Sequence, residues 1–167
     1  MAQASDFTRN IQQYLVVFNR LLDVATVHTN GTEDDLYSNT LAANLFANPG
    51  DVLYARYTLT YASTPTPTEQ TRAYFAGNLV LDSGALTFAS GGTAIVEVEI
   101  LCVSSTGVRV TAEYTASGIT LQPIITYTPI GGLTLTGTNV LKITGTPNGA
   151  GGLITAVQGK SYLVPAA

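Results

Sequence analysis

Ala94-Ile95-Val96-Glu97-Val98-Glu99-Ile100-Leu101-Cys102 runs through Ser105-Thr106-Gly107 into Val108-Arg109-Val110-Thr111-Ala112-Glu113. Val96, Val98, Ile100 and Cys102 recur at every second position, with Glu97 and Glu99 between them. Val108, Val110 and Ala112 alternate in the same way with Arg109, Thr111 and Glu113. A period of two puts the apolar set on one face of a strand and the charged set on the other. Ser105-Thr106-Gly107 is the turn that folds the second strand back on the first. This hairpin, dry on one face and polar on the other, sets the fold class as all-β.

The same pattern extends outward. From Asp51 to Tyr61, Leu53, Ala55, Tyr57, Leu59 and Tyr61 share one face, and Tyr54, Arg56, Thr58 and Thr60 the other. Thr64-Pro65-Thr66-Pro67-Thr68 interrupts the ladder, because proline has no N–H to donate to it. Further strands are expected at 72–81, 85–89, 119–127, 133–135, 139–144, 153–157 and 161–164. Gly91-Gly92, Gly131-Gly132 and Gly151-Gly152 read as turns between them. Eight or more short strands at this spacing imply a β-sandwich or barrel. Residues 51–167 are therefore expected to form the β domain. Residues 25–50 read as a polar connector, marked by Asn30-Gly31, Glu33-Asp34-Asp35 and Asn48-Pro49-Gly50.

Residues 1–24 are read as an N-terminal arm or short helix. Phe7, Ile11, Tyr14, Phe18 and Leu21 are spaced 4-3-4-3, the seam spacing of a coiled coil. Ser5 suits a helix cap and Asp6 a positive helix end, which predicts a helix over about 6–23. Val16-Val17 also suits an extended arm. The seam either covers one end of the β domain or serves as a subunit interface. The long connector favours the interface, so Phe7, Ile11, Tyr14, Phe18 and Leu21 are the candidate interface residues.

Composition narrows the function. The 167 residues are 46% apolar and only 11% charged, which excludes a disordered chain. Unbroken aliphatic or aromatic runs such as Leu15 to Phe18 fall far short of a membrane-spanning helix. A net charge of −4 with only two lysines argues against nucleic acid as the main partner. One cysteine allows no internal disulfide, and one histidine no Cys/His zinc site. The first ten residues carry no charged segment leading into an apolar one, so no secretory leader is expected. With 25 threonines and 9 tyrosines, the chain has the make-up of one that buries surface against other copies.

The candidates for chemistry have plain structural readings. His28 sits beside a turn signal among Thr26, Thr29 and Asn30 and reads as a loop residue. Cys102 lies on an apolar strand face and reads as a small core hydrophobe. Glu97 and Glu99, with Arg109 and Glu113 expected across the hairpin, read as an ion-pair surface rather than a glycosidase pair. Glu33-Asp34-Asp35 lacks the spacing of a calcium loop and reads as a solvated turn. No phosphate loop, dinucleotide fingerprint or nucleophile elbow occurs. No catalytic residue, cofactor or metal is expected, and the chain is not expected to be an enzyme.

Asn39-Thr40-Leu41, Asn48-Pro49-Gly50-Asp51-Val52-Leu53, Arg72-Ala73-Tyr74-Phe75-Ala76-Gly77-Asn78 and Tyr162-Leu163-Val164-Pro165 resemble elements of small jelly-roll domains in virions of tailed bacteriophages. The resemblance covers about 39–165. It implies a jelly-roll β-sandwich, a homotrimer and a place in the virion. Such domains serve as capsid decoration (cement) proteins, head fibres or receptor-binding tail tips. The absence of a long shaft, and an arm suited to lie across capsomers, favour a cement protein bound to the major capsid protein. The alternative is a fibre or tip that meets a glycan or host receptor.

Overall fold

The structure, a computed structural model, describes residues 16–20, 25–27, 31–62, 68–88, 91–120, 123–148 and 152–166, the first two stretches by backbone alone. Twelve strands follow in chain order: β1 (Val16–Arg20), β2 (Ala25–Val27), β3 (Asp34–Leu41), β4 (Val52–Tyr61), β5 (Thr68–Phe75), β6 (Asn78–Asp82), β7 (Leu86–Thr87), β8 (Gly92–Ser104), β9 (Gly107–Ala116), β10 (Ile124–Ile130), β11 (Asn139–Asn148) and β12 (Ile154–Val164). No helix occurs among the described residues.

The strands form two antiparallel sheets. The first has the order β1-β12-β4-β8-β9-β10, with β2 also paired to β12; the second has the order β3-β11-β5-β6, with β7 also paired to β5. The chain crosses between the sheets repeatedly: β3 and β5 lie in one, β4 in the other, and β11 and β12 divide in the same way. This is jelly-roll topology, four strands against four, with the β9–β10 hairpin extending the first sheet. The expected fold class is the one observed.

The alternating faces read from the sequence meet between the sheets. Leu53, Ala55, Tyr57, Leu59 and Tyr61 of β4 are buried against Val96, Val98 and Ile100 of β8 and Val108, Val110 and Ala112 of β9. The second sheet contributes Leu36, Tyr37, Ala73, Phe75, Leu141 and Ile143. Close approach explains Gly159: a Cβ there would lie 3.0 Å from the Tyr57 ring.

Several sequence expectations are corrected. The stretch 25–50 is not merely a connector. Asp34–Leu41 pairs with β11 and buries Leu36, Tyr37 and Leu41, so the sandwich begins before residue 51. The helix expected over 6–23 is contradicted where the structure describes it: Val16–Arg20 is a strand on β12, with Phe18 opposite Ser161. Phe7, Ile11, Tyr14 and Leu21 lie outside the described residues. The single strand expected at 72–81 is two strands, folded at Ala76 and Gly77, both with positive φ. A primed turn of this kind normally announces itself with Asn-Gly or Asp-Gly. The expected strand at 133–135 is a loop that buries Leu135. The two short strands expected after 153 are one, bulged at Val157, where the register slips between Ala156 and Gln158.

Candidate interaction surface

Because the inward residues of β4, β8 and β9 are buried, their neighbours in sequence stand on the outer face of the first sheet. Register aligns these into rows across the strands. One row runs Lys160, Arg56, Glu97, Glu113, Ile125, and the next Tyr162, Tyr54, Glu99, Thr111, Tyr127. Between the rows lies an open groove of about 380 Å³, with Ala55 and Val98 among its lining residues.

The charges around this groove are sorted. Its cations, Lys160 and Arg56, sit on β12 and β4, and its carboxylates, Glu97, Glu99 and Glu113, on β8 and β9; Arg109, also outward on β9, stands one step further along the strand, opposite Leu101. Arg56 Nη1 donates to Glu97 Oε1 at 2.7 Å, with both side chains about half exposed. The Tyr54 ring stacks on Tyr162, centroids 5.2 Å apart. Burial pushes the Tyr54 hydroxyl above its ordinary range, and the neighbouring Glu99, which accepts its hydrogen bond, adds to the rise. At the far side, β10 ends the sheet, and no described strand pairs with its outer edge. It leaves Ile125 64% and Tyr127 61% exposed, the most open large apolar side chains described.

The outer face of the second sheet is built differently. Arg72 donates to Glu33 at 2.7 Å and to Asp82 at 2.9 Å, and Lys142 pairs with Asp35 at 2.9 Å. Gln70 donates to the other Asp82 oxygen at 2.6 Å. Burial works to raise Glu33, but hydrogen bonds from Thr144, Tyr74 and Arg72 outweigh it and hold the carboxyl below the usual range. Asp82 is held low in the same way by Gln70 and Arg72.

The sequence candidates fall as follows. Glu97 and Glu99 share the outward face, but the partner of Glu97 is Arg56 on β4. The expected Arg109 stands opposite Leu101, whereas Glu113 stands opposite Glu97. Cys102 is a buried free thiol that donates to the Ser104 carbonyl at 3.3 Å; burial, then Asp51, pushes its pKa up. Glu33 and Asp35 are taken up by Arg72 and Lys142 rather than left to solvent. No group of three or more His, Cys, Asp or Glu side chains suited to a metal occurs among the described residues. His28 lies outside them.

One titratable group escaped the sequence reading. Glu69 points between the sheets and is 1% exposed. Its Oε1 accepts from the Leu153 N–H at 3.0 Å, while Oε2 has no partner. Burial pushes its pKa up to about 7, against the lowering effect of that one bond. Nearby, the Tyr114 hydroxyl donates to Tyr61 at 3.0 Å, and Tyr61 shares a 2.7 Å bond with Thr71. The signal was the alternation Glu69, Thr71, Ala73, Phe75, hidden because the strand was expected to start only at residue 72.

No protein-family model matches the chain, and no curated protein sequence does. Among solved structures, it is similar to a mutant VP2 protein of infectious bursal disease virus from derived T=1 particles. The two share 12% identity and a TM-score of 0.40, over 89% of this chain and 31% of that one. It is also similar to the structure of the Gt strain of that virus, with 13% identity and a TM-score of 0.38, over 89% and 32%. For the Gx strain the values are 13% and 0.31, over 89% and 41%. The chain spans about a third of the length of the first two.

Proposed function

We propose that this chain is a structural, non-enzymatic protein of a virion, made in the host cytoplasm. In its finer form the reading is a homotrimeric decoration protein that bridges the major capsid subunits of a tailed bacteriophage. The observation that carries it is β10: a sheet edge without a described partner, with Ile125 and Tyr127 turned to solvent. A protein that works alone blunts or covers such an edge. A protein that works in an assembly keeps it for a neighbour. The sequence resemblance to phage jelly rolls supplies the setting. Phe7, Ile11, Tyr14, Phe18 and Leu21 are the proposed arm contacts between subunits. Interfaces of this kind bury about 800 Å² per partner, and several weak footholds on one shell add through effective concentration.

A second reading, a fibre or receptor-binding tip, draws on the groove beside Tyr54 and Tyr162, which is open enough for a glycan or a host receptor.

The test is binding of the purified chain to capsid shells that lack it, with particle imaging to locate it. Saturable, stoichiometric coverage of the shell is expected, weakened when Ile125 and Tyr127 are both replaced by Thr. A chain found only at the tail tip would replace the first reading with the second. A chain absent from particles and inert toward shells would overturn both.

A further inference from the structure

The row Lys160, Arg56, Glu97, Glu113 places like charges side by side twice. Like charges directly opposite across a ladder are destabilising, so an isolated sheet gains nothing from this order. Arg56 and Glu97 offset each other at the centre of the row. Lys160 and Glu113 at its ends carry no ion pair among the described residues. The order has a further property. Reversed end for end, plus-plus-minus-minus becomes its own complement.

We propose that this face recognises a second copy of itself. The copy docks face to face about a two-fold axis that runs along the strands between β4 and β8. That line is the midline of the path β1-β12-β4-β8-β9-β10, so each half of one face meets the opposite half of the other. Arg56 then faces Glu97 of the second copy, and Lys160 faces its Glu113. In the next row Tyr54, whose hydroxyl bonds Glu99 of its own chain, faces Glu99 of the second copy, and Tyr162 faces Thr111. At the centre, two arginines and two glutamates alternate around a square. Both like-charge neighbours gain a counter-charge that the single chain does not give them. This is an isologous contact, in which one patch serves both partners.

The size of the face suits a reversible contact. Six strands at about 4.8 Å spacing, over about 20 Å of strand, give roughly 600 Å² per copy, a little under the ~800 Å² per partner of a standard interface. The groove between the rows leaves space for bridging water, as in other polar interfaces. Such a two-fold contact goes beyond the virion reading and does not rest on it. A three-fold unit would use it to join its neighbours, and a monomer would use it to dimerise.

Sedimentation equilibrium of the full-length chain at micromolar concentration tests the proposal. The wild-type mass is expected to rise with concentration to twice that of the underlying unit, and to fall back as salt is added. Arg56→Glu and Glu97→Arg are each expected to weaken this doubling at least ~10-fold, and the double variant R56E/E97R to restore it to within ~3-fold, because every facing pair is again opposite. Glu97→Arg is the discriminating case. It takes the net charge from −4 to −2 by exchanging one negative charge for one positive, which favours non-specific association. Self-recognition requires that it weaken instead. Thermal melting confirms that each variant folds. Should Arg56→Glu fail to fold, Lys160→Glu, Glu113→Lys and their combination test the flanking pair by the same logic. A wild-type mass that does not change with concentration would overturn the proposal. So would a Glu97→Arg chain that doubles as before, or a double variant as weak as the single ones, and the face would then belong to a different partner.

Discussion

The two outer faces of the sandwich use the same charged side chains to opposite ends. On the second sheet each cation has its anions within the chain: Arg72 lies between Glu33 and Asp82, and Lys142 is paired to Asp35. On the first sheet the row beside the groove sorts its cations and carboxylates into halves, with Arg109 outside the row on β9, and among the described residues only Arg56 and Glu97 pair there. One face is electrostatically closed in the single chain. The other is closed only when something carrying the reverse pattern is laid on it. Both are half-exposed antiparallel surfaces, so burial does not separate them. The order of charges across the strands does.

The largest electrostatic effect lies between the faces, at Glu69, and it has to be separated from theirs. Its folded pKa of about 7 lies above its ordinary value of 4.5. Between these values the folded state holds a proton that the unfolded state has lost, so stability falls as pH rises. The contribution is complete below about pH 4.5 and gone above about pH 7, a loss of about 3 kcal/mol. Glu69→Gln keeps an acceptor for the Leu153 N–H and cannot ionise. Its melting temperature is expected to lack the wild-type decline between pH 5 and 7. Parallel curves for the two proteins would refute the assignment.

The next effect bears on the closed face. Arg72→Ala leaves Glu33 and Asp82 without the cation they share, and a loss of about 1–2 kcal/mol is expected, the range for charge-assisted bonds at a partly exposed site. Arg56→Ala breaks one half-exposed pair and removes a neighbour of Lys160, with an expected loss under about 0.5 kcal/mol. Denaturant titration of the two variants, at concentrations too low for self-association, measures the asymmetry. Equal losses would erase the distinction between the faces.

What was legible in the sequence follows from what a period of two can report. It assigned Val96, Val98, Ile100 and Cys102 to the core and Glu97 and Glu99 to the surface, because each strand declares its own faces. It did not report which strand lies beside which. Arg56 and Glu97 are 41 positions apart, and only the crossover of the jelly roll brings them together. The sorted row was invisible for the same reason, since its halves come from β12 and β4 on one side and β8 and β9 on the other. β3 was hidden by its own composition. Asp34 and Asp35 open it and read as a turn, yet Leu36 and Tyr37 behind them are core. The seam through Phe7, Ile11, Tyr14, Phe18 and Leu21 shows the opposite error at 16–20, the part of it that the structure describes. Its 4-3-4-3 spacing suits a helix, but the β-branched pair Val16-Val17 inside it also suits a strand, and β12 offers 16–20 an edge to pair with.

The smallest effect is the sharpest test of the open face, because stability and association are expected to move in opposite directions. Glu113 stands directly across from Glu97, whose one cation is Arg56 on the far side. Glu113→Lys exchanges the like-charge neighbour for an opposite one. In the separated chain this is expected to stabilise by a few tenths of a kcal/mol, about 0.3, as for cross-strand charge pairs at exposed positions. In the self-docked pair the same lysine faces Lys160 of the second copy, and association weakens. Melting curves at low and high protein concentration read both signs from one variant: above wild type when dilute, and with less gain on concentration. A variant less stable than wild type when dilute would mean that the two carboxylates do not repel, and the reason for expecting a partner over this face would go with it. A variant that gains as much as wild type on concentration would show that whatever associates does not do so through this row of charges.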